Sequence, residues 1–123
     1  MPDRNSAIGV FDSGMGGLTV LKEIIKELPE EDTIYYADAG NCPYGEKSRD
    51  EIIRLTDKAV QFLLSRDVKL IVIACNTATT SAIGFLRSEY DIPFVAMEPA
   101  VKPAVLNSKT GVIGVLATKC TIE

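Results

Sequence analysis

Apolar residues along this chain fall into two alternating rhythms. Short runs rich in β-branched and aromatic residues occur at residues 7–11, 33–37, 70–74, 94–96 and 112–116, and such runs read as strands. Between the first four lie segments with helical spacing. Leu18, Leu21, Ile24, Ile25 and Leu28 form one, stopped by Pro29, because proline cannot continue a helix. Ser48 with Glu51 three residues on makes a capping box, followed by Ile52, Leu55, Ala59, Phe62 and Leu63 on one face. A third helix is expected over residues 77–90, with Ala82, Ile83 and Leu86 inward and Asn76 or Thr77 as its cap. Strands alternating with helices of this length predict an α/β fold of βαβ units, with right-handed crossovers and a parallel sheet under helices on both faces. That is a three-layer α/β/α domain.

The third strand carries the most informative pattern. Residues 69–77 read Lys-Leu-Ile-Val-Ile-Ala-Cys-Asn-Thr, an apolar run suited to a strand buried on both faces, ending in a cysteine and then in amide and hydroxyl side chains. In open α/β sheets, ligands bind at the carboxyl ends of the strands, where the next helix begins with unpaired N–H groups. A thiol near a helix N-terminus has its thiolate stabilised, so Cys75 is a candidate base or nucleophile.

Two more polar loops are expected on the same edge. Strand one runs into Asp12-Ser13-Gly14-Met15-Gly16-Gly17, and strand two into Asp38-Ala39-Gly40-Asn41-Cys42-Pro43-Tyr44-Gly45. Each alone is an ordinary turn. The first lacks the spacing of a Walker A or dinucleotide loop, which lowers nucleotide binding as a reading. Together the three loops offer a carboxylate, hydroxyls, an amide and a thiol, a set suited to a small polar zwitterion.

Composition narrows the chemistry further. The chain has 123 residues, 46% hydrophobic and 24% charged, enough for a domain with a real core. A net charge of −4 offers no basic stripe, so a nucleic-acid partner is not expected. No apolar run approaches the roughly 18 residues of a membrane helix and no signal-peptide core is seen, so no membrane role and a cytoplasmic location are expected. Three cysteines without paired spacing, at positions 42, 75 and 120, read as reduced thiols. Histidine is absent, which removes Ser-His-Asp and Cys-His catalysis and the commonest zinc ligand. No metal site is expected, and acid–base work falls to Cys, Asp, Glu, Lys or Tyr.

The segments Ile8-Gly-Val-Phe-Asp-Ser-Gly-Met-Gly-Gly-Leu-Thr19, Pro43-Tyr-Gly45 and Ala74-Cys-Asn-Thr-Ala-Thr79, in that order, resemble the glutamate racemases of the aspartate/glutamate racemase group, along essentially the whole chain. The resemblance implies a cofactor-independent enzyme that interconverts L- and D-glutamate, supplying the D-isomer for peptidoglycan, and a homo-oligomer, taken as a dimer. It also implies that Asp12, Ser13, Tyr44, Gly45, Asn76, Thr77 and Thr118 contact substrate. Cys75 would be one of two catalytic cysteines, the one that deprotonates the D-isomer. One thiolate removes the α-proton from one face and a thiol on the other face returns one. The family's partner cysteine lies in a Cys-Thr-His segment absent from these 123 residues.

Residues 1–97 are therefore expected to form a first domain carrying Cys75. Residues 98–123 would form a connector, with one or two helical turns, and the first strand of a truncated second α/β domain, where Thr118 or Thr121 caps a helix start. The fragment is expected to be inactive by itself and, with uncovered apolar surface, prone to self-association. Related readings are an aspartate or hydantoin racemase, a maleate isomerase, or a non-catalytic amino-acid-binding module. A thiol redox sensor ranks last, since no resolving cysteine neighbours Cys75 in sequence.

Overall fold

The computed structural model describes residues 3–122. Four parallel strands, β1 (Ala7–Asp12), β2 (Thr33–Ala37), β3 (Val68–Ile73) and β4 (Phe94–Ala96), lie in the order β2-β1-β3-β4. Helices α1 (Leu18–Glu27), α2 (Arg49–Ser65) and α3 (Asn76–Glu89) connect them in turn. The expected α/β architecture is present, with the predicted elements displaced by one or two residues at their ends.

Period-two alternation along the strands builds two cores. Ile8, Val10 and Val72 face one side and meet Val20, Leu21 and Ile24 of α1. Phe11, Ile71 and Ile73 face the other, where Ile52, Leu55, Ala59, Val60 and Leu63 of α2 pack with Ala78, Ala82 and Leu86 of α3. The sheet is thus the middle of three layers. The chain steps from β1 outward to β2, then back past β1 to β3 and on to β4. Right-handed crossovers in opposite directions must lie on opposite faces, which puts α1 alone on one and α2 with α3 on the other.

Helix α2 begins as its sequence predicts, with the Ser48 hydroxyl accepting the Glu51 N–H at 3.2 Å. Its four large buried aliphatic residues, Ile52, Leu55, Val60 and Leu63, each remove apolar surface worth about 1.5–3 kcal/mol from water. Helix α1 is less well covered. None of its residues is fully buried, and Leu18, Ile25 and Leu28 remain nearly half exposed. The apolar spacing of α1 is real, but only Val20, Leu21 and Ile24 of this helix meet the sheet.

Beyond β4 the connector holds α4 (Val101–Asn107), where one or two helical turns were expected. The expected fifth strand at residues 112–116 is not formed; residues 112–118 carry no regular structure. A strand exists through the ladder it shares with a neighbour, and this segment has none among the described residues, so Val112, Val115 and Leu116 stay exposed. The chain then enters α5 (Lys119–Ile122), where the Thr121 and Ile122 N–H groups donate to the Thr118 carbonyl, the helix start expected at Thr118. The outermost ends of the two expected domains, Met1, Pro2 and Glu123, lie outside the described residues.

Candidate active site

The connections leaving β1 and β3 diverge to opposite sides, so the carboxyl ends of these two neighbours frame a crevice, the place where such sheets take ligands. Asp12 ends β1, Cys75 follows β3, and the Ala74 N–H donates to the Phe11 carbonyl at 2.8 Å, holding the two ends level. A cleft of about 420 Å³ opens there. Asp12, Ser13, Cys75, Asn76, Thr77 and Thr118 line it, together with Cys42.

Asp12 is buried and its carboxylate is fully occupied. One oxygen accepts the Ser13 N–H at 2.8 Å; the other accepts the Gly17 N–H at 2.7 Å and the Tyr35 hydroxyl at 3.2 Å. The side chain therefore closes the β1–α1 loop and caps α1 from five residues upstream. Gly17 is required for this: a Cβ there would lie 2.7 Å from the Asp12 Cβ. Burial first, and then the Asp12 charge, push the Tyr35 phenol up to about 12. This keeps Tyr35 a hydrogen-bond donor across the neutral range.

Cys75 takes the helix cap that Asn76 or Thr77 was expected to provide. Its backbone is extended and its Sγ accepts the Ala78 N–H at 3.4 Å, because the turn out of β3 puts the thiol, one residue earlier than anticipated, over the first free N–H groups of α3. The Ser13 hydroxyl lies 3.3 Å from the same sulfur. Cys75 is buried but opens into the cleft, the placement a reactive thiol needs.

Threonine hydroxyls form the facing wall. Thr77 Oγ1 lies 2.7 Å from Thr118 Oγ1, and Thr121 Oγ1 lies 3.0 Å from Thr118 Oγ1. The C-terminal segment is thereby tied to the first turn of α3. Tyr44 and Gly45 stand behind this wall and do not line the cleft. Tyr44 is buried against Phe11, with ring centroids 6.2 Å apart, and its hydroxyl donates to Asp38 at 2.5 Å. Burial foremost, then the Asp38 carboxylate, and to a smaller degree the nearby Cys75, push its phenol well above the ordinary value. Tyr44 is thus a neutral donor and no proton-abstracting base. Gly45 presses on Thr118, whose Cγ2 would be 2.7 Å from a Cβ at that position.

The sequence reading missed Cys42 and Thr121 as cleft residues. Cys42 occupies the polar loop after β2, and its Sγ would be 3.2 Å from a Cβ on Gly14, so a second thiol joins Cys75 at the same opening. Only the loop's residue content hinted at this, since nothing in the spacing ties positions 42 and 14. Cys120 instead packs against the core. Among the described residues, no group of three His, Cys, Asp or Glu is placed to hold a metal ion.

Comparison with known proteins identifies relatives of this arrangement. The family described as Asp/Glu/Hydantoin racemase matches residues 8–123. A glutamate racemase of Herpetosiphon aurantiacus is 54% identical over 119 residues, 97% of this chain and 47% of its own length. That of Clostridium novyi is 58% identical over 116 residues, 94% of this chain and 45% of its own. Among solved structures, glutamate racemase isoform RacE1 from Bacillus anthracis superposes with a TM-score of 0.87 at 40% identity, covering 98% of this chain and 46% of that one. Escherichia coli glutamate racemase, in complex with L-glutamate and the activator UDP-MurNAc-ala, gives a TM-score of 0.87 at 40% identity over 95% of this chain and 45% of that one. The chain spans about half the length of the curated relatives it matches. With a family match over residues 8–123 and solved relatives that superpose on nearly all of it, the chain belongs to the Asp/Glu/Hydantoin racemase family.

Proposed function

We propose that the protein to which these residues belong is a glutamate racemase, working without a cofactor by two-base proton transfer, with Cys75 as one of the two thiols. The supporting observation is the environment of Cys75: a buried sulfur at the switch point of the sheet, receiving the Ala78 N–H, 3.3 Å from the Ser13 hydroxyl and open to a cleft walled by Asn76, Thr77 and Thr118. Removing an α-proton beside a carboxylate generates carbanion-like charge, and donors held in a water-poor cleft stabilise it. In this reading the Cys75 thiolate takes the α-proton of the D-isomer, and a thiol on the other face returns a proton. Asp12 acts through the loop that carries Ser13, while Tyr44 and Gly45 support Thr118 from behind. D-glutamate so formed would serve peptidoglycan synthesis in the cytoplasm, and the enzyme would work as a dimer. No helix among the described residues is long and apolar enough to cross a membrane.

Residues 1–97 are assigned to a first α/β domain and residues 98–123 to a connector leading into a second, whose contribution includes the opposing thiol. A polypeptide of these 123 residues alone is then expected to hold substrate without racemising it. The decisive experiment is D-glutamate exchange in deuterated water alongside L-to-D conversion. Efficient conversion by the 123-residue polypeptide, lost in Cys75→Ala, would overturn the need for a second domain. Absence of exchange in a full-length relative of this chain carrying intact Cys75 would overturn the racemase reading itself.

A further inference from the structure

We infer that Asp38 is a positioning residue for the cleft, acting through Tyr44 and Gly45 on the threonine wall; this rests on the reading of the cleft as an amino-acid site. Asp38 sits just past β2, where its N–H donates to the Asp12 carbonyl at 2.9 Å, and its side chain does not line the cleft. Its two oxygens have separate tasks: Oδ2 accepts the Tyr44 hydroxyl at 2.5 Å and Oδ1 accepts the Asn41 amide at 2.9 Å. The bond to Tyr44 sets the rotation of a ring that the core already grips against Phe11. The next residue, Gly45, is in such close contact with Thr118 that even a methyl group would not fit between them. Thr118 in turn meets Thr77 at 2.7 Å, and Thr77 is two residues from Cys75.

The path from Asp38 to the cleft thus consists of one charged hydrogen bond, one rigid aromatic ring, one steric contact and one hydroxyl pair. Each link is short and has little freedom, so a change in the Tyr44 ring must be felt at Thr118. The Thr118 segment has no strand ladder to hold it. Its position over the cleft depends on these side-chain contacts to a degree that a residue within the sheet would not.

The chemistry of the donor set makes the inference testable. An asparagine at position 38 has one oxygen and so satisfies only one of the two donors, Tyr44 or Asn41. Exchanging the pair, Asp38→Asn with Asn41→Asp, restores both: the new amide donates to the new carboxylate, and its oxygen still accepts from Tyr44. The measurement is methyl NMR of Thr77 and Thr118 in the 123-residue chain, with L-glutamate titrated into wild type, Asp38→Asn, the exchanged double variant and Tyr44→Phe. Asp38→Asn is expected to shift both methyl signals and to weaken L-glutamate binding about fivefold, the worth of one hydrogen bond. The double variant should recover both to within about twofold.

Unshifted Thr118 and Thr77 methyls in both Asp38→Asn and Tyr44→Phe, with only the melting temperature lowered, would overturn the inference and leave Asp38 a merely structural residue. So would a double variant as impaired as the single one. If the wild-type chain does not bind L-glutamate, the amino-acid reading of the cleft fails, and the methyl shifts still decide whether Asp38 governs the wall. If Asp38→Asn does not fold, the double variant and Tyr44→Phe carry the same comparison.

Discussion

Replacing Gly17 by alanine tests how the β1–α1 loop is built. Gly17 has φ −68° and ψ −11°, a conformation open to any residue, so the substitution isolates steric fit from backbone strain. The added methyl would stand 2.7 Å from Asp12 Cβ, 2.9 Å from its Cγ and 3.0 Å from Oδ2. Relief requires the carboxylate to move, and a shift of that size breaks the 2.7 Å bond from the Gly17 N–H. Overpacking costs about 2 kcal/mol, and a lost hydrogen bond to a charged acceptor about 1.5 kcal/mol more. Alanine's smaller unfolded-state entropy returns about 0.5–1 kcal/mol. The net expectation is a loss of about 2–3 kcal/mol, a fall of about 10 °C or more in melting temperature for a domain of this size. Urea denaturation followed by circular dichroism measures it, with Gly16→Ala as the control, since a Cβ there meets nothing within 4 Å. A Gly17→Ala stability within about 0.5 kcal/mol of wild type, the scatter of ordinary surface changes, would refute the role given to the Asp12 carboxylate.

Other outcomes follow from the same geometry. Cys75→Ser keeps a capping oxygen for the Ala78 N–H, so it should retain stability within about 1 kcal/mol while abolishing D-glutamate proton exchange in an active full-length protein; retained exchange would remove Cys75 from the chemistry. The folded-state phenols of Tyr35 and Tyr44 both titrate above their ordinary value. They therefore contribute stability that is full below about pH 10 and is lost as pH rises through the folded-state values. Denaturation midpoints from pH 8 to 12 should fall along this alkaline arm, and Tyr35→Phe should flatten its part between about pH 10 and 12. Thr56 is fully buried on α2 and its hydroxyl has no hydrogen-bond partner among the described residues. Thr56→Val should therefore be neutral or stabilise by about 1 kcal/mol in the same urea assay, and a clear destabilisation would reveal an unrecognised partner. The exposed Leu28, Val95 and Met97 predict concentration-dependent association of the 123-residue chain in sedimentation velocity, reduced in Leu28→Lys; a monomer at all concentrations would contradict this.

Local pattern alone determined much of this protein. The β-branched and aromatic runs named all four strands, most clearly the central β1 and β3, whose residues are largely buried on both faces and so read as continuous apolar segments. Ser48 and Pro29 marked helix limits because capping and the missing proline N–H act over three or four residues. The polar loops after β1, β2 and β3 were legible for the same reason, and with them Asp12, Ser13, Asn76, Thr77 and Cys75. The tertiary structure decided what depends on which atoms meet, near or far along the chain. It turned residues 112–116 from an expected strand into irregular chain, since β propensity without a neighbouring ladder forms no strand. It made Cys75 the cap of α3, brought Cys42 to the same opening and spent both oxygens of Asp12 on the loop. Tyr44 and Gly45 moved behind the wall they were expected to line. Side-chain hydrogen bonds and steric contacts leave no periodic trace in a sequence, whether their partners are near or far along the chain, because periodicity records only which face of an element is buried and not what lies against it.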